Sequence, residues 1–161
     1  DFPEIGVDIK VTSITQPQSS CPFKSARQKI FGLGYALLVF AYEKKDDPTA
    51  QTALLNIVHA IFVEPQCTAD HQTTRGILEL LDNNANSDDL VAFLQDRMLP
   101  VDEIEVRAIA EEILQNRPQL GYLTISNALQ WRLQYGRVIR EAGAVEGILR
   151  LWFHAPSTQE D

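Results

Sequence analysis

The sequence predicts an α/β (α+β) fold, with mainly strands in residues 1–65 and mainly helices in residues 66–161. The first part contains short apolar runs rich in β-branched residues, whereas apolar residues in the second part recur at helical spacing. With 161 residues, 45% of them apolar, the chain is long enough to bury one core. We therefore predict a single domain over residues 1–161.

Three strands are predicted in the first part. A strand is predicted over residues 2–14, with a bend allowed at Gly6. Apolar and polar residues alternate from Val7 to Thr12, which predicts that the β-branched face lies in the core and the polar face points toward a cleft. A short helix or turn is expected at residues 25–31, followed by a second strand at residues 35–43. The dense apolar run at residues 54–63 predicts a third strand in a central position, covered on both faces.

Four helices are predicted in the second part. The first should be capped by Thr68 and the second should begin at Ser87, because both residues precede apolar residues at helical spacing. The third is predicted over residues 103–116 and a long fourth helix over residues 126–142. Residues 145–153 add an apolar tail.

The first ten residues, Asp1-Phe-Pro-Glu-Ile-Gly-Val-Asp8-Ile-Lys10, place two acids and a lysine around the first strand. Residues two apart on a strand share a face and lie about 6.5–7 Å apart, so a metal ion, a water and a phosphate fit between Asp8 and Lys10. Pro3 and Gly6 can turn the chain so that Asp1 folds back beside Asp8.

Two carboxylates and the carbonyl of Ile9 would supply the hard oxygen ligands that Mg²⁺ prefers, with Mn²⁺ as a substitute. A bound ion would polarise a phosphodiester and acidify a water, which Lys10 could position or deprotonate. The pattern therefore predicts a metal-dependent nuclease with Asp1, Asp8 and Lys10 as catalytic residues. The alternative is an ordinary half-buried surface strand, since an acid and a lysine two residues apart occur often by chance.

The whole decapeptide resembles the active-site segment of MutH-like and type II restriction endonucleases, a branch of the PD-(D/E)xK nucleases. The matching residues are Asp1, Phe2, Pro3, Gly6, Val7, Asp8 and Lys10. Asp8 stands where MutH itself has glutamate. The resemblance implies a restriction-endonuclease-like mixed sheet flanked by helices and a Mg²⁺-dependent DNA endonuclease that leaves 5′-phosphates. The alternative is a catalytically inactive nuclease-fold module that binds DNA or protein in a larger assembly.

Similarity to this family continues to about residue 95 and includes Arg27-Gln28-Lys29. By resemblance, Lys29 is an additional active-site lysine; a solvated lysine near a turn is the alternative. The family also has a glutamate on a helix before the first aspartate. Because the chain begins at Asp1, we interpret it as a fragment that lacks N-terminal elements, and its activity by itself stays open.

Basic residues in two segments are candidate contacts for double-stranded DNA. One segment follows the catalytic strand, and the other is the predicted helix at residues 126–142. The candidates are Lys24, Arg27, Arg132, Arg137 and Arg140, accompanied by Gln130 and Gln134. Arginine reads guanine and grips phosphate, and glutamine reads adenine. The alternative is a set of ordinary solvated charges.

The net charge of −8 argues against tight non-specific binding to a polyanion, but the charge is unevenly distributed. Ten acids and two arginines lie within residues 79–112, so this segment by itself accounts for the net charge. Residues 1–45 carry six basic and four acidic side chains, and residues 117–150 carry five arginines and two glutamates. An acidic face could therefore point away from DNA while the two basic segments approach it.

Other functional classes lack their sequence signals. The two cysteines have no metal-binding or disulfide spacing, which favours a reduced, cytoplasmic protein. No stretch reaches the ~18 apolar residues that a bilayer span requires, so no membrane partner is expected. A homodimer is possible, because a symmetric double-strand cut requires two sites, whereas MutH-like nicking enzymes act as monomers by family resemblance.

Overall fold

The computed structural model of the protein describes residues 1–20, 25–97, 99, 101–126 and 132–155. These residues form seven strands and five α-helices. The strands are β1 Val7–Ser13, β2 Gln18–Ser20, β3 Ala36–Asp47, β4 Thr52–Val63, β5 Thr124–Ile125, β6 Arg132–Gln134 and β7 Ile148–Phe153. The helices are α1 Arg27–Phe31, α2 His71–Asp82, α3 Ser87–Asp96, α4 Glu103–Gln115 and α5 Gly136–Glu141. None of these helices is long and apolar enough to cross a membrane.

The main sheet has four strands in the order β1-β3-β4-β7. Strand β1 runs parallel to β3, and the other two pairings are antiparallel. The described strands form a second, antiparallel sheet in the order β2-β6-β5. The predicted α+β fold with a mixed sheet flanked by helices is therefore confirmed, and the arrangement is consistent with a restriction-endonuclease-like fold.

The predicted third strand does occupy a central position, as β4. Its second half is buried, with Val58 and Ile61 fully inaccessible. Its first half is not, because Leu54 and Leu55 are more than half exposed. The β3–β4 hairpin extends beyond both neighbouring strands, since β1 pairs with β3 only as far as Tyr42 and β7 pairs with β4 only from His59 onward.

The prediction of which face of β1 lies in the core is wrong. In the register of β1 and β3, Lys10 pairs with Val39 and Thr12 with Ala41, so the polar residues of β1 share the face of buried β3 residues. Thr12 is 3% exposed, whereas Val11 on the other face is 60% exposed. Alternation correctly separates the two faces of a strand, but the register with its neighbour decides which face is covered.

Two separate apolar clusters support the fold. The first lies between the two sheets and α5 and includes Leu37, Leu133 and Val138. The second lies among helices α1, α2, α3 and α4. In it, Ile77 is fully buried and Ile109 is nearly so. Three of the helices in this second cluster were predicted from the sequence: α1, the helix that begins at Ser87 and the helix over residues 103–116. The structure confirms all three.

The start of α2 differs from the prediction. Asp70, not Thr68, caps this helix, because its side chain accepts a hydrogen bond from the amide of Thr73. The hydroxyl of Thr68 instead accepts from the amide of Leu33 and donates to the carbonyl of Pro65. Thr68 thus holds two loops together before the helix begins.

The predicted helix over residues 126–142 is also wrong. Residues 127–131, which include Gln130 and Trp131, lie outside the described residues. After them the chain forms β6, and only Gly136–Glu141 is helical. Leu133 and Tyr135 are buried while Arg132 and Gln134 are exposed, which is the two-residue period of a strand.

Candidate active site

The site predicted from the first ten residues lies on β1, an outer strand of the main sheet. The side of β1 that faces away from β3 meets the start of the chain, because Val7 and Phe2 exchange backbone hydrogen bonds of 2.9 and 3.2 Å. Gly6 allows this reversal, since its φ of 65° lies in the left-handed region that favours glycine. The turn returns Asp1 to the strand, as predicted.

The Asp1 side chain binds the strand edge directly. Its Oδ2 accepts a hydrogen bond of 2.9 Å from the amide of Ile9. Ile9 lies two residues after Val7, so its amide and carbonyl both face the same free edge. The Asp1 carboxylate and the Ile9 carbonyl are therefore neighbours at this edge.

Asp8 lies between two cationic groups. Its Oδ2 is 2.8 Å from Nζ of Lys10, and its Oδ1 is 3.2 Å from the α-amino group of Asp1. Burial raises the pKa of Asp8, but the hydrogen bonds from Lys10 and the α-amino group outweigh it, so the net pKa is lowered. The carboxylate is thus ionised at neutral pH and its side chain is 23% exposed.

The donor chemistry of this edge fits a hard divalent cation. Two carboxylates, Asp1 and Asp8, and the Ile9 carbonyl present oxygen atoms, and Asp8 already attracts two positive groups. Among the described residues no cluster of three or more histidine, cysteine or acidic side chains is arranged for a metal. A metal here would therefore take the remaining ligands from backbone, water or substrate.

Lys29, the additional lysine implied by the resemblance, lies in different surroundings. It is 1% exposed, so the alternative of a solvated lysine is wrong. Burial lowers the pKa of Lys29, with the nearby charge of Asp70 opposing this effect and that of Arg97 adding to it. The charged groups that act on Lys29 are thus Asp70, at the N-terminus of α2, and Arg97, at the C-terminus of α3.

Asp70 organises that buried region, and sequence reasoning did not identify it. Its Oδ1 accepts from the amide of Ile125 at 2.8 Å, and its Oδ2 accepts from the amide and hydroxyl of Thr73 at 2.9 and 2.6 Å. Arg97 lies 3.5 Å from Oδ2. The available signal was the aspartate itself, a preferred cap three residues before a threonine.

The candidate DNA contacts are dispersed. Arg27 binds Glu112 through its guanidinium and lies over the ring of Phe31, so it joins α1 to α4. Arg132 is exposed on β6, whereas Arg137 and Arg140 belong to α5. Lys24 lies outside the described residues. The structure therefore brings together Asp1, Asp8, Ile9 and Lys10, whereas Arg27 lies on α1 and the other three candidate arginines lie on β6 and α5.

Comparisons with known proteins add independent information. Residues 1–150 match the family model described as type II restriction enzyme NspV. The chain is 64% identical over 156 residues to the type II restriction enzyme NspV of Nostoc sp. (strain ATCC 29411 / PCC 7524), and this alignment covers 97% of the chain and 71% of that relative. No solved structure matches the chain.

Proposed function

The chain belongs to the NspV family of type II restriction enzymes, and on this premise we propose that it cleaves DNA at the free edge of β1 with Mg²⁺ as its metal. As a restriction endonuclease, it acts on DNA and requires a divalent metal. The observation that carries the proposed site is the arrangement of Asp1, Asp8, Ile9 and Lys10 around one strand edge.

Each residue of the proposed site has a distinct role. The carboxylates of Asp1 and Asp8 and the carbonyl of Ile9 would hold Mg²⁺, for which Mn²⁺ could substitute. When bound, the ion would supply Lewis-acid polarisation of the scissile phosphate and acidify a water. Lys10 lies on the same face as Asp8, and it would orient the attacking water and offset negative charge on the phosphate.

The 2.8 Å contact between Lys10 and Asp8 supports this division of roles. This contact holds the ammonium group of Lys10 beside the Asp8 carboxylate on one face of β1. If Asp8 held a metal, Lys10 would be available on the same strand face to contact a phosphate or a water. Lys29 receives the least support as a catalytic residue, because its charged neighbours are Asp70 and Arg97.

The wider proposal concerns partners and cellular setting. We propose that residues 1–161 act as one domain and that double-stranded DNA lies across the edge of β1, with Arg132, Arg137 and Arg140 nearer to it than Arg27, which is already paired with Glu112. A homodimer would place two such sites on a symmetric sequence. We also propose that the protein acts in the cytoplasm, where its DNA substrate is found. Burial raises the pKa of the Cys67 thiol to about 11, so this thiol is protonated, which is consistent with a reduced protein.

Plasmid cleavage tests this proposal. The protein is incubated with supercoiled plasmids of varied sequence and Mg²⁺, in parallel with Asp8→Ala, Lys10→Ala and an EDTA control. We expect discrete fragments or nicks that disappear with EDTA and in Asp8→Ala, and that form about 10²–10⁴-fold more slowly in Lys10→Ala. Cleavage that survives both substitutions would show that the chemistry lies elsewhere.

A matched pair of controls separates chemistry from folding. Lys45→Ala removes a lysine from the exposed end of β3, and Asp46→Ala removes an exposed acid from the same strand. Both variants should cut at the rate of the unmodified protein. If they lose activity to the same extent as Asp8→Ala and Lys10→Ala, general loss of charge rather than the β1 site explains the result.

A further inference from the structure

The outer face of the β2–β6 strand pair in the small sheet carries four polar side chains in two cross-strand pairs. Gln18 of β2 is opposite Gln134 of β6, and Ser20 is opposite Arg132. Residues directly opposite each other in an antiparallel pair point to the same face. These four residues present two amides, one hydroxyl and one guanidinium, and three of the four are exposed.

The opposite face of this sheet is packed into the core. Leu133 is inaccessible and lies between Arg132 and Gln134 in the chain. Ser19, its partner on β2, forms a hydrogen bond of 2.5 Å with the hydroxyl of the buried Tyr135. The polar face is thus supported by a rigid base, so its side chains can be presented in a fixed register.

The small sheet also lies next to the proposed catalytic strand. The hydroxyl of Thr12 on β1 donates to the carbonyl of Gln18 on β2 at 3.3 Å. A groove of about 530 Å³ runs between the two strands, and its walls include Ser20 and Arg132. Val11, which lines this groove, is two residues beyond Ile9 on β1, so the groove lies on the same strand as the proposed metal ligands.

The chemistry of the polar face fits the edges of base pairs. A two-stranded antiparallel ribbon is one of the elements that the major groove of B-DNA admits. Glutamine can bind adenine with two hydrogen bonds and arginine can bind guanine in the same way, which is the commonest specific contact. A face intended only for phosphates would need more cations, whereas here amides and a hydroxyl outnumber the single arginine.

We propose that Gln18, Ser20, Arg132 and Gln134 form a base-reading surface that determines which DNA sequence the enzyme selects. This inference rests on the proposed function, because it assumes a duplex bound beside β1. In this proposal, strands β2 and β6 recognise the DNA sequence, and the first ten residues carry out the cleavage. Arg132 thereby acts from a strand rather than from a helix.

A binding selection tests this surface without requiring cleavage. The Asp8→Ala protein is mixed with a pool of duplexes that contain a randomised segment, and the retained DNA is sequenced. The selection is repeated with Gln18→Ala, Gln134→Ala, Arg132→Ala and Arg132→Lys in the same background. Gln115→Ala and Arg75→Ala, which alter an exposed amide and an exposed guanidinium on helices, serve as matched controls.

We expect the Asp8→Ala protein to retain a defined motif and each of the three alanine variants of the surface to lose preference at particular positions. Affinity for the selected motif relative to a scrambled duplex should fall about tenfold to a hundredfold, as expected for one lost bidentate base contact. Arg132→Lys should keep affinity for scrambled DNA but not restore selectivity, because lysine lacks the bidentate fork. The controls should retain the full motif.

Three outcomes would overturn the inference. The first is that no motif is selected, and the second is a motif unchanged in all surface variants. The third is an equal loss of affinity for selected and scrambled duplexes in Arg132→Ala, restored by Arg132→Lys, with no effect of either glutamine substitution, which would make Arg132 a phosphate contact. A motif that depends on this surface in a protein that cuts no DNA would instead refute the proposed function and support the base-reading surface.

Discussion

Two aspartates, Asp8 and Asp70, are both surrounded by cationic groups and hydrogen-bond donors, but their surroundings differ. Asp70 is 2% exposed, and both of its carboxylate oxygens accept hydrogen bonds from fixed groups of the fold. Asp8 is partly exposed, and its partners are the flexible side chain of Lys10 and the α-amino group of Asp1. The acceptor sites of the Asp70 carboxylate are occupied by the protein, whereas the Asp8 carboxylate can exchange its partners.

This difference in surroundings distinguishes the structural carboxylate of Asp70 from the candidate metal ligand Asp8 better than residue type or charge does. Removing a buried carboxylate leaves its donors and cations without a partner in a region from which water is excluded. Removing a carboxylate at an exposed edge lets its partners return to solvent. The same substitution should therefore affect stability in one region and metal binding in the other.

The largest expected effect is the loss of metal binding in Asp8→Asn. Asparagine keeps the size of the side chain but removes the charge and one anionic oxygen, and Mg²⁺ and Mn²⁺ favour carboxylates. Titration with Mn²⁺, followed by electron paramagnetic resonance of the free ion, should detect binding by the unmodified protein and none by Asp8→Asn. Asp88→Asn, at an exposed position on α3, should bind Mn²⁺ normally.

The second effect is a large loss of stability in Asp70→Ala. This change removes the cap of α2 and the carboxylate beside Lys29 and Arg97, so the free energy of unfolding should fall by about 3–5 kcal/mol. Urea denaturation followed by circular dichroism measures it. Asp8→Ala, measured in parallel, should change stability far less. Equal losses in the two variants would remove the distinction between the two regions.

The third effect concerns Lys29. Lys29→Met should reduce the cleavage rate much less than Lys10→Met, because Lys29 belongs to the buried region. Since burial lowers its pKa, the unfolded chain binds this proton more tightly than the folded protein. Stability should therefore rise with pH between the lowered pKa and the ordinary lysine value of about 10.4. This rise should be smaller in Lys29→Met, and an equal loss of cleavage in the two variants would make Lys29 catalytic.

The smallest effect is the acid dependence of stability at Asp8. Its folded pKa is lowered, so its contribution to stability is fully present above the ordinary aspartate pKa and is lost as the pH falls through the lowered value. Between about pH 4 and pH 2, the unmodified protein should lose more stability than Asp8→Asn. Urea denaturation over this range checks the sign, which would be reversed if burial dominated the shift.

Much of the fold could be predicted from local patterns. The strands that became β1, β3 and β4 have apolar residues at strand spacing, and α3 and α4 begin with strong capping residues. A long helix was wrongly predicted over residues 126–142, and β6 was missed, because this segment contains a helical stripe as well as an alternation from Arg132 to Tyr135. The pairing of β6 with β2 decides between the two patterns, and that pairing joins residues more than a hundred positions apart.

The candidate site was predictable to a similar extent. Asp1, Asp8 and Lys10 lie within one short segment, so their spacing by itself indicates that they can meet. The surroundings of Lys29 depend on the position of α2 and α3, and no local pattern contains that information. The approach of Asp1 to Asp8 could be predicted because it occurs within one short segment, whereas the burial of Lys29 depends on the packing of distant elements.

The turn at Gly6 affects solubility as well as chemistry. An outer strand with unpaired backbone groups can pair with the edge of another molecule, and Phe2 occupies the position on β1 that such a strand would take. A larger residue at Gly6 would strain the left-handed backbone there and free this edge. Loss of the active site and the onset of aggregation should therefore accompany each other, because the same turn positions Asp1 and covers the edge of β1.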